Sequence, residues 1–267
     1  MKNKKCSISV IILTYNEELN LENCLKNITD WASEIFIVDS FSTDKTLEIS
    51  QKYGCKISQH SFENQAQQFN WALENLEIKN EWILRLDADE YLTNKLKEEI
   101  EKEIPSSIKV NGYYIKRRTY FMGRWIKHGG YYPTWILRLF RKGKARSEKR
   151  KVDEHIVISE GESGRLKNDF IDDNKKDLTF WIEKHNNYSS REAADVLAGN
   201  YGRGLKKYYY RLPLFLRVCL YFCYRYFLKF GFLDGKEGLI FHFLQGFWYR
   251  FLVDAKIYER RKIKMNS

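Results

Sequence analysis

Short apolar runs alternate with amphipathic segments along the first hundred or so residues of this chain. The runs at 7–13, 35–38 and 82–86 are rich in β-branched and large apolar residues. Between the first two, apolar residues recur at helical spacing from Leu21 onward. Runs of this length are typical of buried parallel strands, and their alternation with helices predicts an α/β fold: a mostly parallel sheet with helices on both faces.

Each of these three runs stops at polar residues. Thr14-Tyr15-Asn16-Glu17 follows the first run, Asp39 ends the second, and Asp87-Ala88-Asp89 ends the third. Parallel strands end at the same edge of a sheet, where open α/β sheets bind their ligands. Asp87 and Asp89 are two residues apart and point the same way on an extended chain, so a hard divalent cation would relieve their repulsion. The alternative is an Asp-rich turn that caps a helix.

The order and spacing of three blocks resemble family 2 glycosyltransferases of the GT-A fold. The blocks are Val10–Glu17, Ile37–Asp44 and Leu86–Asp89, the last being the DXD motif of that family. The block at 231–238, Gly-Phe-Leu-Asp-Gly-Lys-Glu-Gly, is similar to one in bacterial enzymes that add glucose to the lipopolysaccharide inner core. A Gly-rich phosphate loop of the GxGxxG or GxxxxGK[ST] type is absent, which disfavours a dinucleotide fold or a P-loop kinase.

The resemblance implies that the first two strand ends bind the nucleotide of a UDP-sugar. Tyr15 would lie near the base and Glu17 near the ribose, while Thr14 and Asn16 would line the same pocket. Asp39 would accept a hydrogen bond from the uracil ring, since a carboxylate can accept from its N–H group. Two alternatives remain: Tyr15 packs as an ordinary aromatic residue, and Asp39 only caps its turn.

The same resemblance assigns the third strand end to the sugar and the diphosphate. Asp87, with Ala88 beside it, would lie near the ribose or the sugar, and Asp89 would hold Mg2+ or Mn2+ against the diphosphate. A helix predicted over 64–76 carries Asn70, which would lie beside the nucleotide. Many relatives have a basic residue just before this Asn, whereas here the preceding residues are Gln and Phe. A solvated helix face is therefore an equal alternative for Asn70.

Transfer of a sugar to a hydroxyl needs a general base, and the segment Val152–Val157 supplies the best candidates. Two carboxylates, Asp153 and Glu154, precede an apolar run. Relatives often have a His-Glu or Glu-Asp pair in this region, and this chain departs from both patterns. We expect Glu154 to be the base, with Asp153 as the rival. His155 is either a partner of these carboxylates or structural.

The net charge of +11 is concentrated in two segments. Residues 116–151 carry a net charge of +12, and residues 203–264 carry +10. The first of them includes the loop 123–133, where aromatic rings and basic groups suit a sugar-phosphate acceptor. Single-stranded nucleic acid is the alternative partner for such a pattern. We expect no nucleic acid partner, because the carboxylate-edged sheet would repel a polyanion.

The second basic segment contains two apolar, aromatic stretches, 212–230 and 239–258. Arg217, Arg225 and Lys229 interrupt the first, so it lacks the run of about 20 apolar residues that a spanning helix needs. Basic residues among large aromatics favour a segment that lies in the membrane interface on an anionic leaflet, with binding that salt weakens. A helical pair packed on the catalytic domain is the alternative.

These observations predict a GT-A catalytic domain over 1–205 and a helical, membrane-facing extension over 206–267. The expected reaction is an inverting transfer of a hexose, with glucose as the expected sugar, from a UDP-sugar to a glycolipid of lipopolysaccharide or cell-surface polysaccharide synthesis. The alternatives are a nucleotidyltransferase and an inactive glycan-binding module. Five scattered cysteines and the lack of a signal-peptide pattern favour a cytoplasmic protein on the inner face of the inner membrane.

Overall fold

The fold is known from a computed structural model that describes residues 5–106, 109–148, 155–200 and 205–266. The strands are β1 (Cys6–Thr14), β2 (Ala32–Asp39), β3 (Lys56–Gln59), β4 (Trp82–Asp87), β5 (Glu90–Leu92), β6 (Val110–Phe121), β7 (Arg124–Trp125), β8 (Thr134–Arg141), β9 (Ala145–Ser147), β10 (Ile156–Ile158) and β11 (Glu162–Asp172). The helices are α1 (Leu21–Ile28), α2 (Thr46–Lys52), α3 (Gln65–Asn75), α4 (Asn94–Ser106), α5 (Leu178–Leu197), α6 (Leu205–Tyr209), α7 (Leu216–Cys223), α8 (Gly235–His242) and α9 (Tyr249–Asn266). Tyr224–Leu228 and Phe243–Trp248 are π-helical, and Gly231–Asp234 is a 3-10 turn.

The predicted α/β fold class is confirmed. The three apolar runs form β1, β2 and β4, and the amphipathic segments between them form helices. One large sheet has the order β3-β2-β1-β4-β8-β6-β11-β5, with β7 paired to β6. The first four strands in this order are parallel to one another, and β11 is parallel to β6. β8 runs antiparallel to both of its neighbours, and β5 runs antiparallel to β11.

The sheet is buried on both faces because β1 alternates its side chains between two cores. Ile8, Val10 and Ile12 pack in one core with apolar residues of α1, α2 and α4. Ile11 points to the other core, where Phe69 of α3 packs. A strand covered on both faces must be apolar at nearly every position, and this explains the continuous run that the sequence shows there.

Register places the ends of three strands at one edge of the sheet. Thr14 is paired with Asp39 across β1 and β2, and Leu13 is paired with Asp87 across β1 and β4. Because these strands are parallel, the polar residues that follow them leave the sheet from the same side. The edge predicted from the sequence is therefore present in the fold.

The chain divides into two compact units. The first consists of Met1–Thr119 and Pro133–Lys175, and the second of Tyr120–Tyr132 and Lys176–Ser267. The second unit thus takes in a loop from the middle of the chain, which a boundary at residue 205 does not include. The division into a catalytic domain and an extension at 205 stays a prediction.

The second unit is helical and is held by buried ion pairs as well as by apolar contacts. Arg217 donates from Nε to both carboxylate oxygens of Asp254, at 3.0 and 3.1 Å. Arg250 donates to Glu192 at 3.0 Å. Tyr210 donates a further hydrogen bond to the same Glu192 carboxylate. The positive charges of Arg217 and Arg250 are therefore matched one for one inside the unit.

The outside of the second unit is apolar over residues 212–258. We call its exposed large apolar side chains the apolar face: Leu212, Phe215, Leu216, Leu220, Tyr224, Phe227, Leu228, Phe230, Phe232, Leu233, Leu239, Ile240, Phe243, Phe251 and Tyr258. Of the helices in the described chain, none is long and apolar enough to cross a membrane.

Candidate active site

The carboxylate of Asp39 lies at the centre of the strand-end edge and is fully buried. Thr14 donates to its Oδ1 at 3.0 Å, and the backbone N–H of Ser42 donates to Oδ2 at 2.8 Å. Gln59 Nε2 donates to the same Oδ2 over a longer 3.3 Å. These donors compensate for the burial of the charge. The contact to Gln59 is the longest of the three.

The loops that follow β1 and β2 are fastened together by side chains that bond to backbone groups. The N–H of Asn16 donates to Ser42 Oγ at 2.9 Å, and its Oδ1 accepts from the N–H of Thr43 at 2.8 Å. The N–H of Glu17 donates to Thr46 Oγ1 at 2.7 Å. Asn16 has a left-handed backbone with φ of 52°, a conformation that Asn tolerates better than most residues.

Two aromatic rings leave these loops uncovered. Tyr15 is 59% exposed and Phe41 is 55% exposed. Both follow the paired ends of β1 and β2, so their rings are available at this edge of the sheet. Exposed rings at a ligand-binding edge can stack on a flat base. The sequence indicated Tyr15, whereas it gave no indication that Phe41 would be exposed beside it.

A buried arginine joins two carboxylates at the end of β4. Arg138 of β8 donates to Asp87 Oδ2 at 2.8 Å and to Glu90 Oε1 at 2.5 Å. Glu90 in turn accepts from the N–H of Asp87 at 2.9 Å. The pairing of Leu84 with Leu139 brings Arg138 to this position. Asp87 is thus fixed by its sequence neighbours Glu90 and Arg85 and by Arg138, which is 51 residues away along the chain.

Carboxyl groups outnumber the cations in this cluster. The pKa of Glu90 is raised to about 8, chiefly by burial; Arg138 acts in the opposite direction, and the charges of nearby aspartates, Asp87 first, contribute to the rise. Burial alone would lower the pKa of Arg138, but Asp87 and Glu90 raise it above its usual value. Glu90 therefore keeps its proton at neutral pH, while Arg85, 3.5 Å from Asp87, adds a second cation beside Arg138. The aspartates at the end of β4 are then the carboxylates that a divalent cation would bind.

A chain of hydrogen bonds links Glu17, in the loop after β1, to Asp89, the last aspartate of the motif. Asn20 Nδ2 donates to Glu17 Oε2 at 2.7 Å and to Asn174 Oδ1 at 3.4 Å. Asn174 Nδ2 donates to Asp89 Oδ2 at 2.7 Å. The second oxygen of Asp89, Oδ1, makes no hydrogen bond within the described residues. This chain orients Asp89 while leaving one of its oxygens available.

The donor set at Asp89 is compatible with a divalent metal that is shared with a ligand. Carboxylate oxygens are what Mg2+ and Mn2+ prefer, and Mg2+ sites often use one or two carboxylates together with substrate phosphates. Three His, Cys, Asp or Glu side chains placed to enclose a metal do not occur in the part of the chain that the structure describes. The residues therefore fit a metal that a diphosphate would help to hold, and do not form a cage.

Asn70 is engaged with the backbone of a strand. Its Nδ2 donates to the carbonyl of Ser147 at 3.0 Å, and its Oδ1 accepts from the N–H of Ser147 at 2.9 Å. This pair of bonds fixes β9 against α3. A contact between Asn70 and the nucleotide stays a prediction, and both polar atoms of its side chain already have protein partners.

The predicted bases, Asp153 and Glu154, lie outside the described residues. The N–H of Glu148, which precedes that segment, donates to the carbonyl of His155, which follows it, at 2.9 Å. His155 is exposed. Because Asn70 fixes Ser147, it also positions the strand that leads into the segment with both candidate bases.

The loop of the second unit that was predicted to meet the acceptor is held by Asp234. The backbone N–H and the ring Nδ1 of His128 lie 2.9 and 2.6 Å from its carboxylate oxygens. Burial would raise the pKa of Asp234, but hydrogen bonds from His242, His128 and backbone amides lower it below its usual value. Asp234 belongs to the block at 231–238, so that block anchors the basic, aromatic loop.

Sequence analysis missed Arg138, Asn20 and Asn174. One signal for Arg138 was present: a charged residue in the middle of the apolar run 135–140, just as Arg85 interrupts the run before Asp87. The two asparagines gave no signal of their own. Asn20 is separated from its partner Glu17 by a turn. Asn174 and its partner Asp89 are 85 residues apart.

The chain is similar in sequence to known glycosyltransferases. The family model described as glycosyl transferase family 2 matches residues 9–159. The lipopolysaccharide core biosynthesis glycosyltransferase LpsC of Rhizobium meliloti is 30% identical, and the alignment covers 97% of this chain and 95% of LpsC. A glycosyltransferase of Rickettsia bellii is 39% identical, but over only 35% of this chain and 31% of its own length.

Two solved structures share the fold. The mannosyltransferase PcManGT of Pyrobaculum calidifontis, in complex with GDP-Man and Mn2+, matches with a TM-score of 0.53 at 14% identity, over 96% of this chain and 88% of its own. S. aureus TarS 1–349 with UDP-GlcNAc matches with a TM-score of 0.50 at 19% identity, over 73% of this chain and 67% of its own. The matched family model and the similarity to LpsC show that the chain belongs to glycosyl transferase family 2.

Proposed function

We propose that this protein transfers a hexose, with glucose as the expected sugar, from a UDP-sugar to a glycolipid acceptor in lipopolysaccharide or cell-surface polysaccharide synthesis. The observation that carries the proposal is the strand register, which brings Thr14, Asp39 and Asp87 to one sheet edge beside a cluster of carboxyl groups. The similarity to LpsC, a lipopolysaccharide core enzyme by name, supports the acceptor class. The UDP-GlcNAc complex of TarS supports a UDP-sugar donor.

The uridine would bind between the loops after β1 and β2. The exposed rings of Tyr15 and Phe41 offer apolar faces for the base. Asp39 would accept from the uracil N–H in place of Gln59, whose bond to the carboxylate is the longest that Asp39 makes. Glu17, oriented by Asn20, would accept from a ribose hydroxyl.

Asp89 would hold the metal. When bound, Mg2+ or Mn2+ supplies positive charge that stabilises the UDP leaving group. PcManGT was solved with Mn2+, which supports this cofactor class. The role of the chain itself is to orient: Asn174 fixes Asp89, and Arg138 fixes Asp87 beside the sugar.

The reaction would be a single inverting displacement. Glu154, with Asp153 as the rival, would take the proton of the acceptor hydroxyl as its oxygen attacks the anomeric carbon. The bond from that carbon to the UDP oxygen breaks, and UDP leaves. Asn70 would act indirectly here, because it holds the strand that precedes this segment.

The acceptor would be presented at an anionic membrane surface, on the cytoplasmic face of the inner membrane, where the protein would be peripheral. Lys127 and His128 lie on the loop that Asp234 anchors, beside Trp125. Cationic groups with an aromatic ring suit a phosphorylated sugar. Nucleic acid is not an expected partner.

Release of UDP from UDP-glucose, measured with and without Mn2+ and with a lipopolysaccharide-core acceptor, tests the proposal. We expect acceptor-dependent release of UDP that needs the metal. Asp89→Asn should lower it by roughly 100-fold or more, because the charge that stabilises the leaving group would no longer be held in place. Asp30→Asn, an exposed aspartate after α1, is the matched control. Release of pyrophosphate instead would indicate a nucleotidyltransferase, and binding without any turnover would indicate a binding module.

A further inference from the structure

The arginines that interrupt the C-terminal apolar stretch point into the second unit. Arg217 is 2% exposed and is paired with Asp254. The guanidinium carbon of Arg225 lies 3.9 Å from the ring centre of Tyr131, and its NH1 donates to the hydroxyl of Tyr221. Residues 217, 221 and 225 are spaced by four, so they lie on one side of the helical segment and face inward.

The exposed side of the same segment carries no charge between Leu216 and Leu228. Leu216, Leu220, Tyr224 and Leu228 are also spaced by four, and all four are exposed. Cys219 and Cys223 lie on this exposed side as well. The helical segment is thus amphipathic in an unusual way, since its polar side is buried in the protein and its apolar side is open.

Ring contacts join the apolar face into one patch. Phe215 contacts Phe251 at 5.1 Å between ring centres, and Phe251 contacts Phe247 at 6.1 Å. Phe247 contacts Phe243 at 5.4 Å, and Phe243 contacts Phe222 of α7 at 6.3 Å. Monomeric soluble proteins seldom expose an apolar patch above a few hundred Å2, and a larger one marks a binding surface.

The fully exposed charges around this patch have one sign. Residues 212–258 are all described, and Lys229 and Lys236 are the charged residues among them that are exposed as a whole; the acidic side chain of Glu237, 38% exposed, lies 4.0 Å from Arg124. Two copies of the chain that met through this patch would bring these like-charged lysines together. A lipid leaflet with anionic headgroups would instead pair with both lysines while its acyl chains cover the apolar side chains.

We propose that the apolar face inserts into the acyl-chain region of a bilayer leaflet, with the helices in the plane of the membrane and Lys229 and Lys236 at the headgroups. This proposal rests on the proposed function in one respect: a glycolipid acceptor would bring the protein to a membrane. The inward arginines change the expected driving force, because buried apolar area, and not screened charge, then dominates binding. Salt should therefore have little effect, in contrast to the electrostatic binding that the sequence pattern favoured.

Co-sedimentation of the full chain with vesicles tests this mode of binding. We expect binding to vesicles of phosphatidylcholine alone, stronger binding when phosphatidylglycerol is added, and retention at about 1 M salt, where the screening length falls to roughly 3 Å. Phe227→Ser should weaken partitioning by about 10- to 100-fold, since one large apolar side chain no longer enters the lipid. Phe62→Ser is the matched control, because Phe62 is 52% and Phe227 54% exposed.

The native cysteines report on the same face. A water-soluble maleimide should label Cys219 and Cys223 in the free protein and lose access to both when vesicles are added, in low and in high salt. Cys6 and Cys55, which are half-buried, serve as internal references whose labelling should not change. Unfolding profiles of the Phe227 and Phe62 variants should match that of the unaltered chain, since both side chains are exposed.

Three results would overturn the proposal: no vesicle binding, binding only to anionic vesicles with full release by salt, or equal binding by Phe227→Ser and the unaltered chain. A concentration-dependent dimer in lipid-free solution that protects Cys219 and Cys223 would assign the face to a second copy and would also overturn it. The proposed function is measured separately by UDP release. Insertion without any UDP-sugar turnover would refute that function alone.

Discussion

Each compact unit contains a buried arginine bound to carboxylates, and the two clusters differ in the number of carboxyl groups around that arginine. In the first unit, Arg138 lies between Asp87 and Glu90, with further aspartates nearby. In the second unit, Arg217 is bound to Asp254 alone, and its remaining N–H group donates to the carbonyl of Tyr210 at 3.1 Å. The first cluster gathers several carboxyl groups around its arginine, and the second is a one-to-one pair.

This difference corresponds to what each surface would bind. The aspartates at the strand ends favour a cation and, through it, a diphosphate. A neutral, closed ion pair under the apolar face removes charge from a surface that would contact lipid. Buried arginine therefore has no single meaning in this protein: Arg138 orients a polar site, whereas Arg217 keeps a surface apolar. The following changes would break or sharpen that contrast.

Breaking the neutral pair should have the largest effect. Asp254→Asn leaves the buried Arg217 without its counter-charge, and the loss of one partner of a buried pair typically lowers the free energy of unfolding by about 3–5 kcal/mol. Denaturant unfolding followed by circular dichroism measures this. The double change Arg217→Met with Asp254→Leu is the control, and we expect it to restore most of the stability. If the double variant is no more stable than Asp254→Asn, the pair does not act as a closed unit.

Breaking the carboxyl cluster around Arg138 should affect the site more than the fold. Arg138→Met frees Asp87 from its fixed orientation, and we expect metal affinity and turnover to fall by about 10- to 100-fold, as for other residues that orient ligands. Arg141→Met, on the same strand, is the matched control because Arg141 pairs with Glu81 instead. Mn2+ titration of UDP release measures the effect. Equal losses in both variants would contradict an orienting role for Arg138.

The pH dependence of stability should reveal the raised pKa of Glu90. The folded state holds this proton up to about pH 8, whereas the ordinary carboxyl loses it near 4.5. Between these values the folded state binds more protons than the unfolded state, so stability is lost as pH rises, with a slope of up to about 1.4 kcal/mol per pH unit. Glu90→Gln should remove this slope in metal-free buffer, and the exposed Glu63→Gln should retain it. If the free energy of unfolding changes with pH by the same amount in Glu90→Gln and Glu63→Gln, the raised pKa of Glu90 is contradicted.

The smallest expected effect compares single hydrogen bonds in the two units. Tyr249 donates to the buried carboxylate of Glu192, and Tyr249→Phe should lower the free energy of unfolding by about 1–2 kcal/mol. Asn174→Ala should change stability by less than about 0.5 kcal/mol, because water can replace it at the partly exposed Asp89, but should weaken the binding of Mn2+. A stability loss that is as large for Asn174→Ala as for Tyr249→Phe would contradict the contrast.

The local pattern was sufficient to predict the core strands and the site edge. β1, β2 and β4 are short, apolar and flanked by amphipathic helices, so their type followed from composition and period. β5, β9 and β11 were not predicted. β11 carries several charged residues and pairs with β6 and β5 through long-range register, which a window of local sequence does not contain.

The place of a residue at the sheet edge was predictable where that residue ends a strand, as with Thr14, Asp39 and Asp87. It was not predictable where a side chain arrives from another part of the chain. Asn70 illustrates this limit: the resemblance implied a place beside the nucleotide, with a solvated helix face as the equal alternative, and neither reading indicated that both of its polar atoms bond to Ser147, 77 residues away. The roles of Asp153 and Glu154 stay predictions.

The sequence by itself determined the family, the α/β fold class and the edge at which three strands end, because these depend on local period and on blocks of adjacent residues. Only the tertiary structure decided which arginines are buried and with what partners. Arg217 and Asp254 are 37 residues apart, and Arg138 and Asp87 are 51 apart. A charged side chain is buried only where packing supplies an opposite charge. An arginine that the sequence pattern predicts to lie at the surface can therefore be internal in the fold.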